Sequence, residues 1–199
     1  GASMWYKNVT DESGNVTKTP VTDYNDADYY LCGDPTPELY GGFGTSLTYK
    51  GFDFAASFTY SIGGLAYDSG YAAYMSSPSA GKEGANFHKD MLNAWTPENR
   101  NTDIPKFQYN EQYTAASSDR FLTDASYLNF QNAQIGYTFP ERVTRKIFVN
   151  RLRLYVACDN IIYWSCRQGL DPRQSFTGAT SNAMNSPVKT VSGGINITF

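Results

Sequence analysis

Long apolar runs are missing from this sequence. None approaches the ~20 residues that a membrane-crossing helix needs, which excludes helical spans. Histidine is almost missing as well: His88 stands alone among 199 residues. A Ser-His-Asp triad would have one candidate base and no nucleophile motif near it. His88 lies in NFHKDMLNAW (86–95), a predicted loop helix, where a surface role is favoured over catalysis. Cysteine is sparse, and Cys32, Cys158 and Cys166 are an odd number at no metal-ligand spacing. They cannot complete a disulfide framework; a single Cys32–Cys166 bridge fits the count, and three free thiols fit it better. Charge is thin too, at 18% of residues against a typical ~25%. With a net charge of −3 there is no electrostatic case for a nucleic-acid partner.

What is present instead is aromatic and small polar. The chain has 16 Tyr and 12 Phe among many Ser, Thr, Asn and Gly residues, a mixture that suits β-structure with long loops. The clearest organisation is GFGTSLTYKGFDFAASFTYSIGG, residues 42–64. If Lys50-Gly51 is a two-residue turn, Tyr49 pairs with Phe52, Leu47 with Phe54, Thr45 with Ala56 and Phe43 with Phe58. Cross-strand partners share a face, so the rings gather on one side and the hydroxyls on the other.

Three later segments repeat the alternation. SYLNFQNAQIGYTF (126–139) puts Ala133, Ile135, Tyr137 and Phe139 on one face. NRLRLYVACDN (150–160) sets Leu152, Leu154, Val156 and Cys158 against Arg151, Arg153, Tyr155, Ala157 and Asp159. Val191, Gly193, Ile195, Ile197 and Phe199 share a face in the final stretch. Strands are thus expected near 43–50, 52–61, 126–139, 150–160 and 188–199. Long loops are expected over 5–40, 63–125 and 161–187, and PERVTRKIFV is a short basic connection with room for one helical turn.

Short and long connections alternate, as in an up-and-down sheet with its tight turns at one end. A transmembrane barrel combines alternating strands, short periplasmic turns and longer outer loops. The polar faces carry mainly uncharged Ser, Thr, Asn, Gln and Gly, which suits the inside of a barrel wall. Lys50, Asp53, Arg151 and Arg153 gather near the short turns, where a membrane rim would lie. A soluble β-sandwich, acting as a carbohydrate-binding or adhesive module, produces the same alternation. The apolar last strand and its aromatic final residue favour the barrel.

Longer motifs are more specific. GDPTPELYGGFGTSLTYKGFDFAASFTYSIGG, NFHKDMLNAWTPENRNTDIP, FLTDASYLNFQNAQIGYTFP, RLRLYVACDNIIYW, GLDPR and SGGINITF occur here in one order. Together they resemble the C-terminal region of SusC/RagA-type TonB-linked outer-membrane transporters. The resemblance spans nearly all of residues 5–199. It implies an all-β fold of antiparallel up-and-down strands, the C-terminal segment of a large transmembrane β-barrel with long outer loops. That family builds barrels of about 22 strands, plugged by an N-terminal domain. It imports glycans or peptides with energy relayed by TonB, under a SusD-like surface lipoprotein lid.

The expected partners are therefore the rest of the parent barrel and its plug, a SusD-like lipoprotein, outer-membrane lipid and an oligosaccharide or peptide ligand. TonB would act only through the missing N-terminal part. About five strands cannot close such a barrel, so a fragment is expected. Met4 after Gly-Ala-Ser marks residues 1–3 as the trace of an expression scar, which leaves the lack of an export signal without weight. Gly193, Ile195, Ile197 and Phe199 are the candidate barrel-assembly signal. Trp95, Tyr163 and Trp164 are candidate ligand-stacking or membrane-girdle aromatics, the girdle being preferred for the last two.

The remaining signals are weaker. Asp23, Asp26 and Asp28 could offer oxygens to Ca²⁺, but their spacing matches no EF-hand and a solvated loop reads better. GGFGTS (41–46) lacks the lysine and helix of a phosphate loop and reads as the start of a strand. Asn8 and Asn15 head glycosylation triplets of little meaning on a bacterial surface. A glycosidase would need two convergent carboxyl groups roughly 5–9.5 Å apart in a cleft. No catalytic residue, cofactor or metal is expected.

Overall fold

The computed structural model describes residues 1–78, 84–111, 116–167, 169–174, 178 and 188–199. In chain order the strands are β1 (Trp5–Thr10), β2 (Val16–Val21), β3 (Leu39–Tyr49), β4 (Phe52–Ile62), β5 (Leu65–Tyr67), β6 (Leu122–Asp124), β7 (Tyr127–Thr138), β8 (Arg151–Ser165) and β9 (Thr190–Thr198). Two short helices, α1 (Ser69–Tyr74) and α2 (Glu141–Thr144), accompany them. The chain divides into two compact units, one of residues 1–33 and 67–122, the other of residues 34–66 and 123–199.

The second unit is built on a five-stranded antiparallel sheet, β3-β4-β7-β8-β9, in which neighbours in space follow one another along the chain. This is the expected all-β, up-and-down arrangement. Its first hairpin has the register that alternation dictates: Tyr49 faces Phe52, Leu47 faces Phe54, Thr45 faces Ala56 and Phe43 faces Phe58. The turn works because Lys50 and Gly51 both take positive φ, 47° and 89°, as a type I′ turn requires. A Cβ added at Gly51 would lie 2.6 Å from the Thr138 carbonyl oxygen. Gly51→Val should therefore cost on the order of 2–3 kcal/mol, from left-handed strain plus a backbone clash. Urea unfolding would read this, and an unchanged midpoint would refute the role given to the glycine.

The register then runs across the whole sheet. Leu47, Phe54, Ile135, Val156 and Gly193 form one row of the apolar face, and Thr45, Ala56, Ala133, Cys158 and Val191 form the next. Two local irregularities keep the faces in phase. Ser57 pairs with Asn132 but Phe58 with Phe130, which leaves Gln131 as an extra residue in β7. On the other side of β7, Phe130 pairs with Ile162 and Asn132 with Asp159, so Asn160 and Ile161 oppose Gln131 alone. Such bulges reset side-chain alternation. Here they bring Leu128 and Phe130, at even positions, onto the same face as Ala133, Ile135 and Tyr137, at odd ones. Three rings stack there in sequence, Phe43 on Phe58 at 4.9 Å and Phe58 on Phe130 at 4.4 Å.

The apolar face is bare. Ile135 is 53% exposed, Val156 51% and Ile195 62%. By contrast Ser61 and Asn129, on the polar face, are only 4% and 2% exposed. A two-layer sandwich would bury these the other way round.

The first unit has its own small core of Ala72, Met75, Met91 and Phe121, flanked by Tyr67, Tyr71, Phe87 and Ile104. Asp68 caps α1 by accepting the Tyr71 N–H at 2.9 Å. Within the segment read from sequence as a loop (5–40), β1 and β2 pair as a hairpin. The helix expected at 86–95 is a 3-10 turn, Lys89–Asn93. His88 caps that turn, its Nδ1 accepting from the Asp90 N–H at 3.2 Å, and its ring stands edge-on to Tyr71. In the other unit, PERVTRKIFV forms α2 and one further 3-10 turn, as its length suggests.

Candidate functional site

The polar face of the sheet is the first candidate surface, and it is organised at both ends. Near the short turns, Arg153 of β8 reaches across β7 to Asp53 of β4. Its Nε donates to Asp53 Oδ1 at 2.9 Å, and Nη2 donates to Oδ2, giving a bidentate pair. The crossing depends on Gly136, the β7 residue paired with Asp53. A Cβ on Gly136 would sit 2.6 Å from Arg153 Nη2 and 2.7 Å from Asp53 Oδ2. Two of the four charges expected near a membrane rim, Asp53 and Arg153, thus form a clasp over three strands of the polar face. The Arg153 guanidinium also lies 5.1 Å from the Tyr155 ring centre. Tyr155 in turn covers Gly194, where an added Cβ would strike its hydroxyl at 2.5 Å. Farther along, Asn132 Nδ2 donates to Asp159 Oδ1 at 2.6 Å between paired residues.

At the long-loop end, GLDPR folds back against the same face. The Arg173 guanidinium donates from Nε and Nη2 to both oxygens of Asp171, each at 2.8 Å. It lies 4.6 Å from the Tyr163 ring and 6.0 Å from that of Tyr127. Leu170 and Asp171 are buried. Burial alone would raise the Asp171 carboxyl, but hydrogen bonds from Arg173 outweigh it and hold the group below the usual carboxylate range. The Ser165 hydroxyl sits 2.8 Å from the Arg167 carbonyl and 3.0 Å from that of Leu170, tying the return to the end of β8.

Tyr163 and Trp164 therefore part company. Trp164 pairs with Leu128 on the apolar face and is half exposed, the placement a girdle residue needs. Tyr163 pairs with Asn129 on the polar face, beneath Arg173. Gly193, Ile195 and Ile197 lie in β9 opposite Val156, Leu154 and Leu152, and Phe199 follows the strand, exposed.

Trp95 belongs to the first unit and lines a cavity of about 570 Å³ there, with Trp5, Tyr24, Tyr30, Asp103 and Arg120 among its walls. That volume falls within the ~300–1,000 Å³ of small-molecule sites. Trp5 meets Tyr24 edge-on at 5.6 Å, and the Tyr30 hydroxyl donates to Asp119 Oδ2 at 2.8 Å. Of the three acidic residues weighed for Ca²⁺, Asp23 and Asp28 accept backbone N–H bonds from Asn25 and Asn8, at 2.9 and 2.7 Å. GGFGTS is part of β3. Cys32, Cys158 and Cys166 are all free; the Cys166 thiol donates to the Asp124 carbonyl at 2.9 Å.

Sequence patterns alone revealed neither the clasp nor the GLDPR return. Asp53 and Arg153 are 100 residues apart, and only the register brings them together. The one available signal was Gly136 at a polar-face position of β7.

Comparisons with known proteins agree with this architecture. No family model matches the chain. TonB-dependent receptor P3 of Formosa agariphila is 32% identical over 183 residues, covering 87% of this chain and 17% of the receptor. TonB-dependent receptor P26 of the same organism is 24% identical over 182 residues, covering 86% and 18%. The chain thus spans about a sixth of the length of these relatives. Among solved structures, the RagAB peptide importer in its closed-closed state superposes with a TM-score of 0.74 at 23% identity, over 98% of this chain and 22% of that one. Its open-open state gives 0.73 at 24% identity. At that identity the likeness is one of fold.

Proposed function

We propose that this chain, which is kin to the TonB-dependent receptors along about a sixth of their length, forms C-terminal wall strands of an outer-membrane nutrient importer. One observation carries the reading: the sheet leaves its apolar face bare, while polar-face positions of its central strands, Ser61 and Asn129 among them, are buried. Water penalises that arrangement by roughly 25 cal/mol for each Å² of apolar surface left exposed. A bilayer outside and an aqueous pore inside reward it. A soluble carbohydrate-binding or adhesive module would need the reverse.

On this reading the outward rows from Phe43 to Val191 meet lipid, and Trp164 sits at the membrane interface. The clasp and the GLDPR return face the pore. The remaining barrel strands, a plug and a SusD-like lipoprotein complete the importer, and TonB engages it through another part of the receptor. The cargo is an oligosaccharide or a peptide; the RagAB likeness supports the second and the aromatic cavity around Trp95 accommodates either. The chain does no covalent chemistry. The face of β9 carrying Gly193, Ile195 and Ile197, with Phe199, is the recognition strand for barrel assembly.

The test is fractionation of cells that make the full-length protein. It should band with outer membrane and migrate faster unheated than heated on gels, as folded barrels do. Deleting Phe199 should cut the folded band several-fold. Recovery in the soluble fraction would refute the importer reading, and undiminished folding without Phe199 would refute its assembly role.

A further inference from the structure

The polar face is paired strand to strand and needs no cover for its own stability, yet at the long-loop end it is covered. The Arg173 guanidinium lies over the Tyr163 ring and 6.0 Å from that of Tyr127, and Asn129, the β7 residue paired with Tyr163, is buried. Ser61, paired with Tyr127, is sealed off from solvent, whereas its neighbour Ile62 on the other face is half exposed. The cover is held in a particular way. Asp171 and Arg173 form a bidentate pair, the backbone N–H of Arg173 also donates to Asp171 Oδ1 at 3.1 Å, and the guanidinium is stacked on an aromatic ring. Taking two charges out of water is costly, so such a pair stabilises little in itself. What a planar, forked, ring-stacked arginine supplies is fixed geometry.

We propose that residues 169–173 are a strap fixed across the pore side of the barrel wall, locked by the stack of Asp171, Arg173 and Tyr163, and that it sets the size of solute admitted to the wall beneath. This deepens the importer reading and rests on it. A bulky hydrophilic cargo would pass beside the strap, while Ser61 and Asn129 stay screened. Releasing the lock opens that wall to larger molecules without altering the lipid face.

The experiment uses the full-length receptor in whole cells, with Cys32, Cys158 and Cys166 changed to Ser. One added cysteine, Ser61→Cys, reports on the pore side beside Tyr127, the ring that Arg173 approaches, and another, Ile135→Cys, reports on the outward face. Each is treated with a small sulfonated maleimide and with a polyethylene-glycol maleimide, neither of which crosses membranes, and labelling is scored on the folded band only. Removing Arg173 leaves a buried carboxylate without its partner, so Arg173→Ala should speed small-reagent labelling of Ser61→Cys by at least about tenfold. It should also admit the polymer reagent, which the locked strap excludes. Tyr163→Leu removes the ring while keeping the ion pair and should give a smaller acceleration of the same kind. Equal rates with and without Arg173 would overturn the strap. Labelling of Ile135→Cys with Ser61→Cys silent in every variant would show the faces reversed and overturn the importer reading itself.

Discussion

Ile135→Arg is expected to destabilise the protein in its bilayer by about 2–4 kcal/mol, whereas Gln134→Arg should cost less than about 1 kcal/mol. The two residues are adjacent in β7 and point to opposite faces, Ile135 between Phe54 and Val156 and Gln134 between Ala55 and Ala157. An arginine at the outward position meets hydrocarbon and must drag water or headgroups inward. At the inward position the same side chain extends into an aqueous pore. The comparison is sharp because Ile135 is already exposed in the folded sheet. If water were its medium, arginine there would be neutral or would improve solubility, since exposed substitutions usually stay within about 0.5 kcal/mol. Urea titration of the receptor in lipid vesicles distinguishes the outcomes. A neutral Ile135→Arg beside a damaging Gln134→Arg would exchange the two faces and remove the basis of the importer reading.

Some of this architecture was legible in the sequence because several signals fixed it redundantly. Around Lys50-Gly51, turn chemistry and two alternating runs point to one register, and the structure has that register residue for residue. A one-residue slip there would move every ring to the other face. In β7 the alternation misleads, because the apolar positions change from even to odd at Gln131. Reading the segment as one unbroken strand hid Leu128 and Phe130 from the face they occupy. β8 likewise runs on to Ser165 through Asn160, whose φ of 51° breaks strand geometry without ending the strand. The β1–β2 hairpin went unread because Lys7, Lys18 and Pro20 dilute its pattern. The site was less legible than the fold. The Asp53–Arg153 clasp, and the seat of Arg173 on Tyr163, depend on register and on a loop return that no local pattern encodes. GLDPR was visible as a motif, but what it touches was not.

Expressed alone, the 199-residue chain should form soluble aggregates or large oligomers in buffer and disperse to a narrow single species only with detergent. Two features of the sheet lead to this. Its apolar face presents Leu47, Phe54, Ile135, Val156, Ile195 and Ile197 to the surroundings, each at least about a third exposed, whereas soluble monomers rarely expose large contiguous apolar patches. Its edges are also open: among the described residues β3 pairs only with β4 within the sheet, and β9 only with β8. Unpaired strand edges recruit other strands. Detergent can satisfy the face but not the edges, so strand-to-strand dimers should persist at low detergent. Light scattering after size exclusion reads all three states. A monodisperse monomer in plain buffer would mean that other parts of the chain bury the apolar face in solution, and the bare sheet on which the importer reading depends would then be absent from the isolated chain.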